Sequence, residues 1–254
     1  MKILRIFLLI TIPLLHAAMM SFGLSHEQLM LPLALATLAV TDIALSFFFS
    51  RDHVRAQVFS HSFPSLALLL FSFAILYFIQ HNVLIFSVIV INSVLQYIFI
   101  VSLYRELHTL RAAADRSLQH ISFTTNTLAL FYASSIFFGL RYLLDVPFWQ
   151  MIVPFTLVVM LFNLQEYFIQ EVSVKEHRMI ILVYLVLAIE LARALLWLPS
   201  GMYVNALVYT ASLHVFSLLS FSVIRRETWR YQYVGYSLLA FVVVVLGCMT
   251  AIWR

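Results

Sequence analysis

The 254-residue chain is short of charge, of helix breakers and of cysteine: 10% of its residues are charged, with 5 Gly, 6 Pro and 1 Cys, against 63% hydrophobic residues. Water-soluble domains carry about 25% charged residues because their surfaces face water, so scarcity of charge excludes a soluble globule and leaves no room within these residues for a soluble catalytic or signalling domain. Scarcity of Gly and Pro excludes a loop-rich or disordered chain. A single cysteine, Cys248, excludes an intrachain disulfide framework. The mean hydropathy of +1.00 identifies the solvent of most of the surface as lipid, and the expected class is an all-α polytopic membrane protein.

No Asp, Glu, Lys or Arg lies between Ala56 and Tyr104. As one helix this stretch would reach about 73 Å, more than twice the hydrocarbon thickness, so it must fold back, and Gln80-His81-Asn82 is the polar hairpin. A second uncharged stretch, Ala194 to Ile224, is broken at Pro199-Ser200-Gly201. Charges and breakers elsewhere give spans Ile3 to Phe22, Leu29 to Phe49, Ser62 to Ile79, Val83 to Tyr104, Ile121 to Leu144, Phe148 to Phe168, Met179 to Leu198, Met202 to Ile224 and Tyr233 to Trp253. That makes nine helices, or eight if the first is a cleaved signal; Lys2 and Arg5 before an apolar run fit a signal peptide, but the run continues past His16 to Phe22 without a clear cleavage site.

With the N-terminus cytoplasmic, Lys2, Arg5, Arg51, Arg55, Arg105, Arg111, Arg116, Lys175, Arg178, Arg225, Arg226 and Arg230 fall inside. These are 12 of the 15 basic residues; Arg141, Arg193 and Arg254 lie at or near the outer side. The net charge of +4 then sits in short loops beside headgroups, where anionic lipid is the expected partner and nucleic acid is not required. The pattern suits the plasma (inner) membrane of a prokaryote.

The sequence also resembles itself. Gln28-Leu29-Met30-Leu31-Pro32 matches Gln150-Met151-Ile152-Val153-Pro154, Phe22-Gly23-Leu24 matches Phe138-Gly139-Leu140, and Arg105-Glu106 matches Arg226-Glu227, in the same order. The expected plan is a single transmembrane domain, 1–254, built as a 4+4+1 parallel internal repeat: repeat A 1–116, repeat B 121–231 and an extra helix 232–254. Pro32 and Pro154 occupy corresponding places, read as the first turns of their spans, where proline is tolerated.

Polar residues inside spans are the candidate site. Asp42 lies about 20 Å and His214 about 18 Å from the outer ends of helices two and eight, so they are read as inward-facing and able to pair. Asn92 and Gln96 share one face of helix four, and Asp42 falls opposite Leu164 in the repeat, flanked by Asn163 and Gln165. Glu190 and Arg193 are three apart on helix seven, and Arg141 and Asp145 four apart at the end of helix five. If those helices touch, the four charges form an outer-facing anion or zwitterion site; Glu166 is read as solvated near the inner boundary. The substrate-binding set is Asp42, His214, Asn92, Gln96, Asn163, Glu190 and Arg193.

The same groups also serve as interhelical hydrogen-bond partners that bind nothing. Nine histidines form no His-x-x-x-His or Glu-x-x-His pair, so no metal and no cofactor is expected. Without a nucleophile elbow, phosphate loop or HExxH motif, an intramembrane enzyme ranks third. First is a transporter-like or small-molecule-binding bundle with a midplane polar site between the repeats. The alternative is a membrane sensor or scaffold acting through a membrane-protein partner or a homo-oligomer.

Overall fold

A computed structural model describes residues 2–46, 55–108, 113–170, 172–198 and 200–224. Within them the chain is all helical, with eight α-helices: α1 (Lys2–Ser25), α2 (Met30–Ser46), α3 (Arg55–Leu76), α4 (Asn82–His108), α5 (Ala113–Leu144), α6 (Phe148–Ile169), α7 (Arg178–Leu195) and α8 (Met202–Ile224). A single 3₁₀ turn, Glu27–Leu29, joins α1 to α2. Five segments are long and apolar enough to cross a bilayer: Phe7–Ser25, Asn82–Arg105, Leu118–Leu144, Phe148–Ile169 and Met202–Phe221. Such helices suit a membrane-embedded protein. The expected ninth helix, Cys248 and Arg226-Glu227 lie outside the described residues.

Breakers and caps explain the helix ends. Leaving α1, the His26 N–H bonds the Gly23 carbonyl at 3.1 Å, and Gly23 itself lies against Met30, whose Cγ would be 3.3 Å from an added Cβ. At the end of α5 the Val146 N–H reaches back to the Leu140 carbonyl at 3.2 Å while Asp145 takes φ 52°. The chain thus closes back over the last turn of the helix with a non-glycine residue in the left-handed position, and Pro147 after it prevents continuation. Pro154 does not fall in a first turn: α6 begins at Phe148, so the proline sits inside the helix, where its missing N–H leaves the Gln150 carbonyl without its usual partner.

Chain packing divides the protein into two units, Met1–Ala129 with Phe168–Gln170, and Leu130–Tyr167 with Glu171–Arg254. In the first, α1 packs on α2 and α4, α2 on α3, and α3 on α4. One apolar cluster gathers Ile12, Ala44, Leu45, Phe99, Ile100 and Leu103; the other gathers Met20, Met30, Ala34, Leu69, Phe73, Leu76 and Ile89. The first cluster uses the early part of α1 and the late parts of α2 and α4, and the second the reverse. The four helices therefore run alternately up and down.

Along α1, α2 and α4, His16, Thr41, Asn92 and Gln96 come between the two clusters, and all four are fully buried. Beside Thr41, by contrast, Ile43 is 59% exposed. Polar groups inside and aliphatic groups outside are the arrangement expected when lipid is the solvent.

The second unit is held by rings at one end and a mixed cluster at the other. Phe137 stacks on Phe155 at a centroid distance of 4.2 Å, and Tyr209 approaches Phe155 at 5.4 Å and Phe138 edge-on at 6.2 Å. At the opposite end Tyr167, Ile181 and Phe221 pack with Leu164, Leu185 and Ile224. These contacts tie residues 130–144 of α5 to α6 and α8, and α6 to α7 and α8.

Candidate functional site

Among the described residues a half-open concavity lies in the second unit, where α5 and α7 end and α6 begins. It encloses about 390 Å³ and is lined by Arg141, Pro147, Phe148, Arg193, Leu196 and Trp197. Each wall follows from a helix end. Arg141 is in the last turn of α5, Pro147 and Phe148 open α6, and Arg193, Leu196 and Trp197 lie on the last turn of α7 and its short continuation. That continuation is itself hydrogen-bonded, Leu196 N–H to the Ala192 carbonyl at 3.3 Å and Trp197 N–H to Ala194 at 3.1 Å, so the two side chains stay on a helical track rather than a loose loop.

The charges are unequally compensated. Arg141 Nη1 donates to Asp145 Oδ1 at 2.7 Å and to the Asp145 carbonyl at 3.5 Å. Both contacts use one nitrogen, so among the described residues Nη2 and Nε keep their donors. The carboxylate is 90% exposed, and such a pair holds about 0–1 kcal/mol in water. Arg193 has neither an ion pair nor a hydrogen bond among the described residues, although Glu190 is one turn away on the same helix. Two planar forks thus meet one apolar hollow, the donor geometry that suits a carboxylate or phosphate.

Behind the hollow a fully buried amide sets the geometry. Asn205, on the first turn of α8, donates through Nδ2 to the Tyr142 hydroxyl at 2.7 Å and to the Leu195 carbonyl at 3.0 Å, and its Oδ1 accepts from Ser200 Oγ. The Tyr142 hydroxyl also reaches the Leu198 carbonyl at 3.3 Å. This links the end of α5, the end of α7 and the start of α8, which fixes Arg141 relative to Arg193.

Three other polar pairs link helices within the units. In the first unit, Ser65 Oγ donates to Gln96 Oε1 at 2.6 Å while Gln96 Nε2 donates to the Ser65 carbonyl at 2.7 Å. His16 Nε2 lies 3.2 Å from Ser72 Oγ. In the second unit, Ser217 Oγ donates to Glu166 Oε2, joining α8 to α6. Tyr167 and Tyr184 are within electrostatic reach of that carboxyl group. Glu166 is therefore half-buried and partnered, not the solvated residue expected near an inner boundary.

The sequence-derived candidates are spread across the molecule. Asn92 and Gln96 are fully buried on α4 in the first unit, and Asn163 is buried on α6 in the second. His214 is half-buried on α8, while Glu190 and Arg193 are exposed on α7. Asp42 is exposed on α2 instead of inward-facing, because Thr41, Ala44 and Leu45 occupy the buried stripe and Asp42 is turned away from it. Ser46 closes the described helix only about 6 Å further on. Of the whole set, only Arg193 lines the hollow, and it meets Arg141, its proposed companion.

Phe148, Trp197, Tyr142, Asn205 and Ser200 carry no motif; their one signal is position, beside the two breakers Pro147 and Pro199-Ser200-Gly201. Among the described residues no three His, Cys, Asp or Glu side chains gather as metal ligands. The chain matches no protein-family model, no curated protein and no solved structure.

Proposed function

We propose that this chain is an integral membrane protein that binds a small anionic or zwitterionic molecule, transporter-like in construction, with the α5–α6–α7 hollow as its binding site. The observation that carries the proposal is the approach of two incompletely compensated guanidinium groups to one 390 Å³ hollow with Phe and Trp walls. A concave, mostly apolar site with a few convergent polar groups is the usual form of a small-molecule pocket. Support for the transporter-like part comes from the ordered sequence matches between the two halves and from the polar groups within spans, buried Asn92 and Gln96 in one unit and buried Asn163 with half-buried Glu166 in the other. The distribution of Lys and Arg supports a cytoplasmic N-terminus, nine spans in a prokaryotic plasma membrane and a hollow on the outer face. The closed Ser65–Gln96 and His16–Ser72 pairs favour the second reading, a rigid scaffold or sensor.

Charge preference at the hollow separates the two. In a Cys248→Ala background, Leu196→Cys is labelled from each side with an anionic and a cationic methanethiosulfonate, each rate normalised to that of a free thiol. One unit charge at about 4 Å contributes about 1 kcal/mol in water, so the anionic reagent is expected to lead by about fivefold or more, from the outer side, and Arg193→Gln to remove most of the lead. Equal normalised rates, or no labelling from either side, overturn the binding site.

A further inference from the structure

The composition of the hollow says more about its ligand than its charge does. Its 390 Å³ lies in the range of pockets that enclose drug-sized molecules, well above what a bare inorganic anion fills. Four of the six lining residues, Pro147, Phe148, Leu196 and Trp197, are apolar. A fully hydrated anion placed there would gain the two guanidinium groups but lose water to apolar walls on its other side, whereas a molecule with one anionic end and one apolar end satisfies both halves of the lining. The hollow also sits at the terminus of two apolar spans, Leu118–Leu144 and Phe148–Ile169, the depth at which bilayers keep their phosphates and at which Trp is enriched. Leu143, Leu144 and Trp149 beside it are exposed, as is Trp197 at 84%. The rim therefore continues onto a surface an alkyl chain can lie against.

We propose that the hollow binds an amphiphilic phosphate ester, its phosphate held by the Arg141 and Arg193 guanidinium groups and its chain laid along Phe148, Leu196 and Trp197. The inference rests on the anion-site reading above and adds the chemical class of the ligand. Arg141 enters through Nη2 and Nε, since Nη1 remains on Asp145, and Arg193 contributes its whole fork. Planar forks accept phosphate oxygens two at a time, which a Lys ammonium in the same place does not reproduce.

Native mass spectrometry of the full chain in a non-ionic detergent tests this with four probes: dihexanoylphosphatidylglycerol, glycerol phosphate, inorganic phosphate and dihexanoylglycerol. The phosphatidyl probe is expected to bind at least about tenfold more tightly than each of the other three. Arg193→Gln and Arg193→Lys should each weaken it by about tenfold, one charge-assisted fork being lost or replaced by a point charge. Both variants change an exposed side chain, and a thermal midpoint equal to that of the unaltered chain confirms that they fold. Glycerol phosphate binding as tightly as the phosphatidyl probe overturns the amphiphile in favour of a soluble phosphate ester. Dihexanoylglycerol binding equally well overturns the role of the phosphate. If no probe binds while Leu196→Cys still prefers the anionic reagent, the ligand class is wrong and the anion site stands; if the charge preference is missing too, both fall.

Discussion

Asn205 concentrates three connections in one side-chain amide, to Tyr142, Leu195 and Ser200, while its backbone N–H bonds the Gly201 carbonyl at 3.1 Å. Replacing it with Leu keeps the volume roughly constant but removes the side-chain bonds to the Tyr142 hydroxyl, the Ser200 hydroxyl and the Leu195 carbonyl, the last of which keeps the Leu198 N–H; each lost bond is worth about 0.5–1.5 kcal/mol. Asn205→Leu is expected to lower the thermal midpoint in detergent by several degrees and to abolish the charge preference at Leu196→Cys, because the end of α7 loses its anchor to α5. An unchanged midpoint would show that the network is incidental. Sequence inspection had no access to this residue. An Asn near the start of an apolar run reads as a loop neighbour, and what makes it structural is the return of Tyr142 from 63 positions earlier. Asp42 illustrates the converse. Its charge is conspicuous in the sequence, yet α2 is apolar on every side, so no hydrophobic stripe revealed which face would be buried.

At the scale of elements, lipid boundaries and helix boundaries are different quantities. Hydropathy marks where lipid contact ends, while hydrogen bonding continues into the polar flanks. This is why α3 starts at Arg55 and α5 at Ala113, well before the apolar stretches from Ser62 and Ile121. Where a breaker lies directly against the apolar run the two coincide, and α8 occupies Met202–Ile224 as the sequence suggests. The long polar segment after Tyr104 is partly helix: α4 runs to His108, and the first turns of α5 include Asp115, with Arg111 outside the described residues.

Asp145 offers a test of one such boundary. Its φ of 52° costs a non-glycine residue up to about 1–2 kcal/mol, and its exposed bond to Arg141 returns about 0–1 kcal/mol. Glycine gives back part of the relieved strain through its greater backbone entropy, roughly 0.5–1 kcal/mol, so Asp145→Gly is expected to shift stability by no more than about 1 kcal/mol, measured by thermal unfolding. Freed of its partner, Arg141 should also strengthen the preference for the anionic thiol reagent. A large loss of stability would mean that the Arg141–Asp145 contact holds the helix end by itself.

For the molecule as a whole, the membrane class was legible from composition, and so was the place of most helices, because both depend on residue content over long windows. The binding hollow was legible only in part. Arg141 and Arg193 could be named from their charge, whereas Phe148, Leu196 and Trp197 are ordinary residues in an apolar chain until three helix ends bring them together. Sidedness is open to direct measurement. In the Cys248→Ala background, single cysteines at His26, His81, Val146 and Ser200 should be labelled by an impermeant thiol reagent from one side, and those at Ser173 and Arg116 from the other. Labelling of all six from one side would dismantle the alternation of spans.

The first bundle is assembled almost entirely from consecutive sequence, α1 through α4 with the early turns of α5. Its two apolar clusters, with Leu118 and Ile121 of α5 packed into the first, draw on no described residue beyond Ile121, so every side chain needed to close them has been synthesised before the second half of the chain exists. Helices already stable in lipid can associate as they arrive. The order of translation thus becomes an order of assembly, with the amino-terminal half able to shelter its His16, Asn92 and Gln96 groups from lipid while the ribosome is still making the guanidinium-lined hollow.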